Sequence, residues 1–280
     1  MNQSKEMFGL EFEFSCSNPS EETKRISDLI NSIGIPAVFK EWHYTDAQKL
    51  WVCKPDASCG IEVCTPVLER GHWGDVERVL EALSKDPIEF DESCSVHVHV
   101  DFDSPDNSWS SVRLCSLLSW WVKFEHIFVD FAVPWRKVNK YCKCIGETFL
   151  FDHDEKVSLP RAFSKLSDKY LTMNTFHMFN RRRSSVEFRL LEATKDFSLV
   201  EKWVKIIHSF VDSCKKNAPP ENYTWADPED FFSFVSMDDD LKVWMLERLI
   251  SNSPKTPSFF ASENSSASEY FRIKSLRDFG

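Results

Sequence analysis

Glu11-x-Glu13, His97-x-His99 and Glu187-x-Arg189 each set two ionisable side chains two residues apart inside a short apolar run. Glu62 lies in a fourth such run, Gly60-Ile61-Glu62-Val63. Side chains alternate along a strand, so each pair is aimed at one face. An ionised carboxylate is very costly to bury without a partner. Strands that aim carboxylates, imidazoles and a guanidinium at one surface therefore point to a divalent metal cluster rather than a packed core. The carboxylate majority favours Mg2+ or Mn2+, with histidine completing one site. Arginine beside metals implies phosphate or another anion in the same cleft.

The individual pieces differ in weight. Glu11-x-Glu13 alone fits the wet face of an edge strand equally well, with Phe12 and Phe14 packing inward beneath the carboxylates. His97-x-His99, set among valines, is stronger, because a strand places both rings on one face and neutral imidazole is a favoured ligand. In the segment Lys54 to Glu62, Gly60 frees the backbone and Glu62 projects from the strand that follows, whereas Asp56 and Ser58 would also suit a simple Asx-type turn. From Arg161 to Arg189 there are seven Lys or Arg against two Asp or Glu, a local excess in a chain of net charge -10. Arg136, Lys137, Lys140 and Lys143 make a second basic patch. Arg189 and Arg136 read as phosphate ligands, while Arg181-Arg182-Arg183 equally suits a solvated turn. The chain has neither G-x-x-x-x-G-K-[ST] nor G-x-G-x-x-G. A bound nucleotide must then be held by metals and arginines. The absence of G-x-S-x-G and H-E-x-x-H disfavours serine-hydrolase and zincin chemistry.

Local patterns locate the elements that carry these residues. Strands are expected at 7–14, 60–65 and 94–102, with 36–44 and 49–54 paired through a polar turn and 172–179 and 185–192 forming a hairpin. Helices are expected at about 20–33, 73–83, 110–131 and 198–216, with shorter pieces at 228–235 and 240–251. Leu114, Leu117, Leu118, Trp121, Phe124 and Phe128 form a core stripe on the long helix. Antiparallel strands with helices between them define an α+β class. Pro219-Pro220 marks a change of composition, dividing a catalytic region, 1–217, from a helical extension, 218–280, that holds a Ser-rich loop at 251–268 and an aromatic, basic end suited to docking back.

Hydrophobic content of 42% and charged content of 28% suit a globular protein, and 24 Phe with 10 Trp supply a large aromatic core. The acidic balance argues against general nucleic-acid binding. No apolar stretch reaches the ~18 residues of a membrane span. The polar start and nine cysteines imply reduced thiols in the cytoplasm. Cys142-x-Cys144 and Cys53, Cys59 and Cys64 are the places zinc could bind. They lack C-x-x-C spacing, and small buried side chains are the reading adopted.

The ordered motifs Gly9-Leu10-Glu11-Phe12-Glu13-Phe14, Asp56-x-Ser58-x-Gly60-Ile61-Glu62-Val63, His97-Val98-His99, Pro134-Trp135-Arg136 with Tyr141, Asn174, and Glu187-Phe188-Arg189 with Thr194 resemble the amidoligase group. That group belongs to the glutamine synthetase and glutamate–cysteine ligase superfamily of carboxylate–amine ligases. The likeness runs from about residue 8 to 194 and departs at Ala193, where the family usually has Gly. It implies a curved antiparallel sheet forming a funnel, flanked by helices, with ATP and Mg2+ or Mn2+ inside. By analogy, Glu11, His97 and Glu187 hold one metal, and Glu13 and Glu62 another. His99, Arg136, Arg189 and Asn174 contact the nucleotide. Arg189, Arg136 and Asp56 serve catalysis, with Ser58 near the substrate. The implied reaction joins a small-molecule or peptide carboxylate to an amine through an acyl phosphate, releasing ADP and phosphate. Oligomers are compatible with this class. A metal-dependent hydrolase and a non-catalytic binding protein on a ligase fold are the competing readings.

Overall fold

Phe8, Leu10, Phe12 and Phe14 occupy alternate positions of strand β1 (Met7–Ser15), and none is more than 2% exposed. Their burial forces Glu11 and Glu13 to the opposite face, because successive strand side chains point in opposite directions. The computed structural model describes residues 7–40, 49–101, 111–145, 168–176, 185–220 and 226–252. Arg181-Arg182-Arg183 and the segment after Asn252 lie outside them.

After β1 come α1 (Pro19–Ser32), β2 (Ala37–Phe39), β3 (Trp51–Asp56), β4 (Gly60–Cys64), β5 (Leu68–Glu69), α2 (Gly74–Ser84) and β6 (Ser95–Asp101). Then follow α3 (Ser111–Phe131), α4 (Pro134–Lys137), β7 (Met173–Asn174), β8 (Ser185–Glu192), α5 (Phe197–Lys216), α6 (Pro228–Phe234) and α7 (Asp239–Asn252). Helix boundaries follow local chemistry. Asp196 caps α5 by accepting from the Ser198 and Leu199 amides, and Asp227 with Asp230 forms a reciprocal capping box on α6.

The strands form one sheet in the order β2-β3-β4-β1-β6-β8-β7, with β5 pairing the start of β1. It is open and mostly antiparallel among the described residues, and the protein is of mixed α+β class. The expected hairpin between 36–44 and 49–54 is corrected: β2 and β3 do pair, but in parallel. Parallel neighbours cannot be joined by a tight turn. β7 and β8 pair antiparallel as expected, although β7 is only two residues long.

Helices cover the apolar face. Trp121 of α3 stacks on Phe128 at 4.5 Å and meets Phe188 of β8 and Phe210 of α5. The helices beyond residue 217 join this core: Phe234 stacks on Trp120 at 4.0 Å, and Phe231 packs edge-on to Phe124 and Phe128. Asn252 donates to the Phe131 carbonyl at 2.7 Å and ties α7 to the end of α3. No helix among the described residues is long and apolar enough to cross a membrane.

Glu125 on α3 anchors the connection toward β7 from inside this core. Its carboxylate is 3% exposed. It accepts from the Ile145 amide at 2.8 Å, from Trp121 Nε1 at 3.3 Å and from the Thr172 hydroxyl. Glu125→Ala would strand these buried donors, so a loss of about 1–3 kcal/mol in unfolding free energy is expected from chemical denaturation. Unchanged stability would show that other groups satisfy them.

Candidate active site

Register decides which ionisable groups meet. Across β1 and β6, Glu11 lies opposite His97; across β1 and β4, Glu13 lies opposite Glu62 and Glu11 opposite Cys64. His99 faces Glu187 across β6 and β8, and Asn174 of β7 faces Glu187 from the other side. Directly opposed residues share a face, so one polar surface spans β3 to β7 with Glu11 at its centre.

β8 contains an irregularity at the key position. Val98 pairs with Phe188 but Val96 with Leu191, so Arg189 and Leu190 both lie opposite His97. Such a bulge bends the strand and re-aims its side chains. Arg189 Nη1 thereby donates to Glu187 Oε1 and lies 3.4 Å from His97 Nδ1, while its Nε donates to the Tyr141 carbonyl at 3.3 Å.

His97 sits deepest, 2% exposed. Its Nδ1 is 3.1 Å from Glu187 Oε1 and 3.4 Å from Glu11 Oε2, and its Nε2 is 2.7 Å from Ser95 Oγ. Ser95 in turn donates to Glu13 Oε2 at 2.5 Å. His99 Nε2 is 3.2 Å from Glu11 Oε1. Lys54 Nζ contacts Glu62 Oε1 at 2.7 Å, and the Cys64 thiol donates to the same oxygen at 3.0 Å.

Two sets of potential ligand atoms around Glu11 converge to within 4.8 Å: Glu11 with His99 and Glu187, and Glu11 with Glu62 and Cys64. This grouping differs from the one the resemblance implies. Glu11 is shared, His99 rather than His97 completes the first set, and Glu13 approaches Asp56 and Cys59 instead. Cys53, Cys59 and Cys64 do not converge. Cys53 lies in the main core, where burial pushes its thiol up to about 12, and Cys59 packs with Cys94.

The remaining expected residues are placed as follows. Asn174 donates to Glu187 Oε2 at 2.6 Å and accepts from the Phe176 amide, so it orients that carboxylate. Arg136 is fully enclosed; its Nη2 donates to the Arg189 carbonyl, its charge acts on the neighbouring Cys142 thiol, and no oxygen or nitrogen among the described residues accepts from its Nε or Nη1. Asp56 lies at the β3–β4 turn, at the Glu13 edge of the cluster. Its Oδ1 accepts from the Ser58 amide at 2.7 Å and from the Ser58 hydroxyl, so the Asx-type turn is present. Asp56 and Ser58 line a cavity of about 490 Å3 with Pro19, Ser20 and Pro55. Thr194 accepts from the Asp196 amide ahead of α5.

The sequence reading gave Lys54 and Ser95 no part in this site and weighed Cys64 only as a zinc ligand with Cys53 and Cys59. Ser95 and Cys64 continue the period-two patterns of His97 and Glu62, a signal that was available. Lys54 reaches the site only because it lies opposite Glu62, which requires the register.

The electrostatics are those of an acidic surface short of positive charge. Burial opposes the charge of Glu11, but His99, His97 and Lys54 hold its carboxyl well below the usual range. Burial, with the Glu11 charge nearby, raises the Glu62 carboxyl against the pull of Lys54. Burial also opposes Glu187, which Arg189 and His97 hold far down. Neighbouring carboxylates pushed in opposite directions signal a place where a cation relieves repulsion. The donor set of carboxylate and imidazole suits a divalent ion, and the Arg189 guanidinium beside it suits an anion.

Burial and the Arg189 charge act to lower the His97 imidazole, but Glu13, Glu11 and Glu187 outweigh them and raise it from 6.5 to about 9. A raised value means that the protonated ring stabilises the fold fully below pH 6.5. That contribution is lost as pH rises through about 9. Thermal unfolding of metal-free protein is therefore expected to weaken across this window. A divalent ion among Glu11, His99 and Glu187 repels the same proton, so binding at neutral pH should release it. Calorimetry in buffers of different ionisation enthalpy reads that release, and buffer-independent heats would contradict it.

Residues 4–211 match the family model described as "Putative amidoligase enzyme", and the chain belongs to that amidoligase family. A search of curated proteins finds no match to the chain.

Proposed function

We propose that the protein is an ATP-dependent carboxylate–amine ligase that forms an amide through an acyl phosphate and releases ADP and phosphate. The observation that carries this reading is the sharing of half-buried Glu11 between two convergent ligand sets, each with a buried carboxylate beside it, next to Arg189. Family membership supports the amide-forming class. We extend the same reading to a glutamine-synthetase-like funnel around the polar face of the sheet and to a cytoplasmic setting.

In this reading Glu11, His99, Glu187 and Glu62 hold Mg2+ or Mn2+, with Glu13 close by. The ions supply Lewis-acid neutralisation of charge during phosphoryl transfer. Arg189 holds the transferring phosphoryl oxygens, and Arg136, enclosed behind it, fixes the Arg189 backbone and adds positive charge to that side of the site. Asn174 keeps the Glu187 carboxylate oriented, and Ser95 keeps Glu13 and His97 in place. Among the described residues the Asp56 cavity has no Lys, Arg or His in its lining, so in this reading it takes the amine, and the acid binds near Arg189.

ATP binding is expected to require Mg2+ or Mn2+, since no glycine-rich loop is present to hold the phosphates. Calorimetry in excess chelator should show no ATP binding; equal affinity with and without metal would remove the basis of the site. Incubation with ATP, Mg2+ and pools of carboxylates and amines should then yield an amide together with ADP. Amide formation accompanied by AMP and pyrophosphate would refute the acyl-phosphate route.

A further inference from the structure

Cys59 closes the turn that carries Asp56: its Sγ lies 3.6 Å from Asp56 Oδ1 and 3.4 Å from the Ile61 carbonyl. Cys94 lies just before β6, its Sγ 3.6 Å from Asp91 Oδ1. The two side chains pack with Ala193 in a small buried cluster separate from the main core. Cys94 is fully enclosed, but Cys59 lines the cavity of about 490 Å3 that also holds Asp56 and Ser58. A small oxidant entering this cavity meets Cys16, which also lines it, and Cys59, and only Cys59 has a second buried cysteine, Cys94, packed against it among the described residues.

We propose that Cys59 and Cys94 form an oxidisable dithiol, a modification site whose disulfide ties the Asp56 turn to the start of β6. The oxidant class is a hydroperoxide. The Cys59 sulfur attacks one oxygen of hydrogen peroxide, and the O–O bond breaks. Cys59 becomes a sulfenic acid, and its thiol proton leaves with the departing hydroxide as water. The Cys94 sulfur then displaces the sulfenic hydroxyl, the S–S bond forms, and the Cys94 proton leaves in a second water. Both sulfurs are oxidised and the peroxide is reduced to water.

The location gives the modification a consequence. In the reduced state the Cys59 thiol reaches Asp56 and the Ile61 carbonyl, whereas a disulfide has no S–H to donate. Glu13, Asp56 and Cys59 bring potential ligand atoms to within 4.8 Å of one another, so a tether at Cys59 acts where the cavity meets the central cluster. The disulfide itself does not depend on the ligase reading; its effect on turnover does.

The test uses reduced, full-length, folded protein exposed to hydrogen peroxide. Remaining thiols are then alkylated in denaturant, and the product is mapped by mass spectrometry with fragment sequencing. The expected product has lost two hydrogen atoms, carries a Cys59–Cys94 disulfide and reverts with dithiothreitol. Cys59→Ser and Cys94→Ser should each abolish it, while Cys16→Ser should retain it. Mapping of the unsubstituted protein keeps the test valid should a serine variant fold poorly. The absence of an intramolecular disulfide, or a disulfide joining Cys59 or Cys94 to Cys16, Cys53 or Cys64, would overturn the proposal. Once an amide-forming assay exists, oxidation should lower turnover roughly tenfold or more by misplacing the Asp56 turn, reversibly and not in Cys59→Ser. Undiminished turnover in fully cross-linked protein would overturn the link to the turn, and the mapping stands even if no ligase activity is found.

Discussion

Glu11→Gln is expected to lower divalent-metal affinity by about 10²-fold or more and to abolish measurable amide formation. Glu11 is the one carboxylate shared by two convergent ligand sets, so its loss weakens both at once. The substitution should leave the fold intact. Glu11 and Glu62 repel each other across a buried surface, and the neutral amide keeps the shape while removing part of that repulsion. The amide also gives up the attraction of His99, His97 and Lys54, so metal-free Glu11→Gln should stay folded but unfold somewhat below the unsubstituted protein, and it should gain no thermal stability from ATP with Mg2+. Glu187 is a less clean test, because Arg189, Asn174 and His97 all depend on it for a partner. Retained metal-dependent stabilisation in Glu11→Gln would move the ion elsewhere. Loss of the folded state at room temperature in metal-free Glu11→Gln would recast Glu11 as chiefly a structural partner of His97 and His99.

Arg189→Lys should lower turnover by roughly 10²-fold while preserving the local positive charge. Arg189 uses Nη1 on Glu187 and Nε on the Tyr141 carbonyl, while its Nη2 bonds no protein atom among the described residues. In the proposed role that open edge of the fork takes a phosphoryl oxygen. An ammonium can satisfy Glu187 but cannot also reach Tyr141 and present a planar edge to a phosphoryl group. The loss should fall mainly on kcat, with thermal stability within about 1 kcal/mol of the parent, because the Glu187 ion pair survives. Near-normal turnover would reduce Arg189 to a structural counter-ion. A KM effect with kcat unchanged would place it in ground-state binding only.

Part of this site was legible before any tertiary structure. Strand alternation is a local property of the backbone, so Phe12 and Phe14 already sent Glu11 and Glu13 to one face, and the same reasoning held for His97 with His99 and Glu187 with Arg189. Helix positions were legible from apolar spacing, as at 110–131 and 198–216, because that periodicity is also a property of the local backbone. The order of short motifs was also enough to bring out the amidoligase resemblance.

Pairing across strands was not legible, because register is set by contacts between residues far apart in sequence. Only the fold puts β1 between β4 and β6 and makes Glu11 the residue that both ligand sets share. Lys54 and Cys64 enter the site through that pairing. The parallel contact of β2 with β3 depends on where the sheet accepts a strand, not on the polar segment between them. The bulge at Arg189 and Leu190 reflects one unpaired residue in a ladder, which no local pattern of apolar and polar residues records. It nevertheless decides that Arg189 reaches both Glu187 and His97. The residue types that do the chemistry were thus written in the strand periodicity, whereas their grouping was a product of register, summed over the whole sheet.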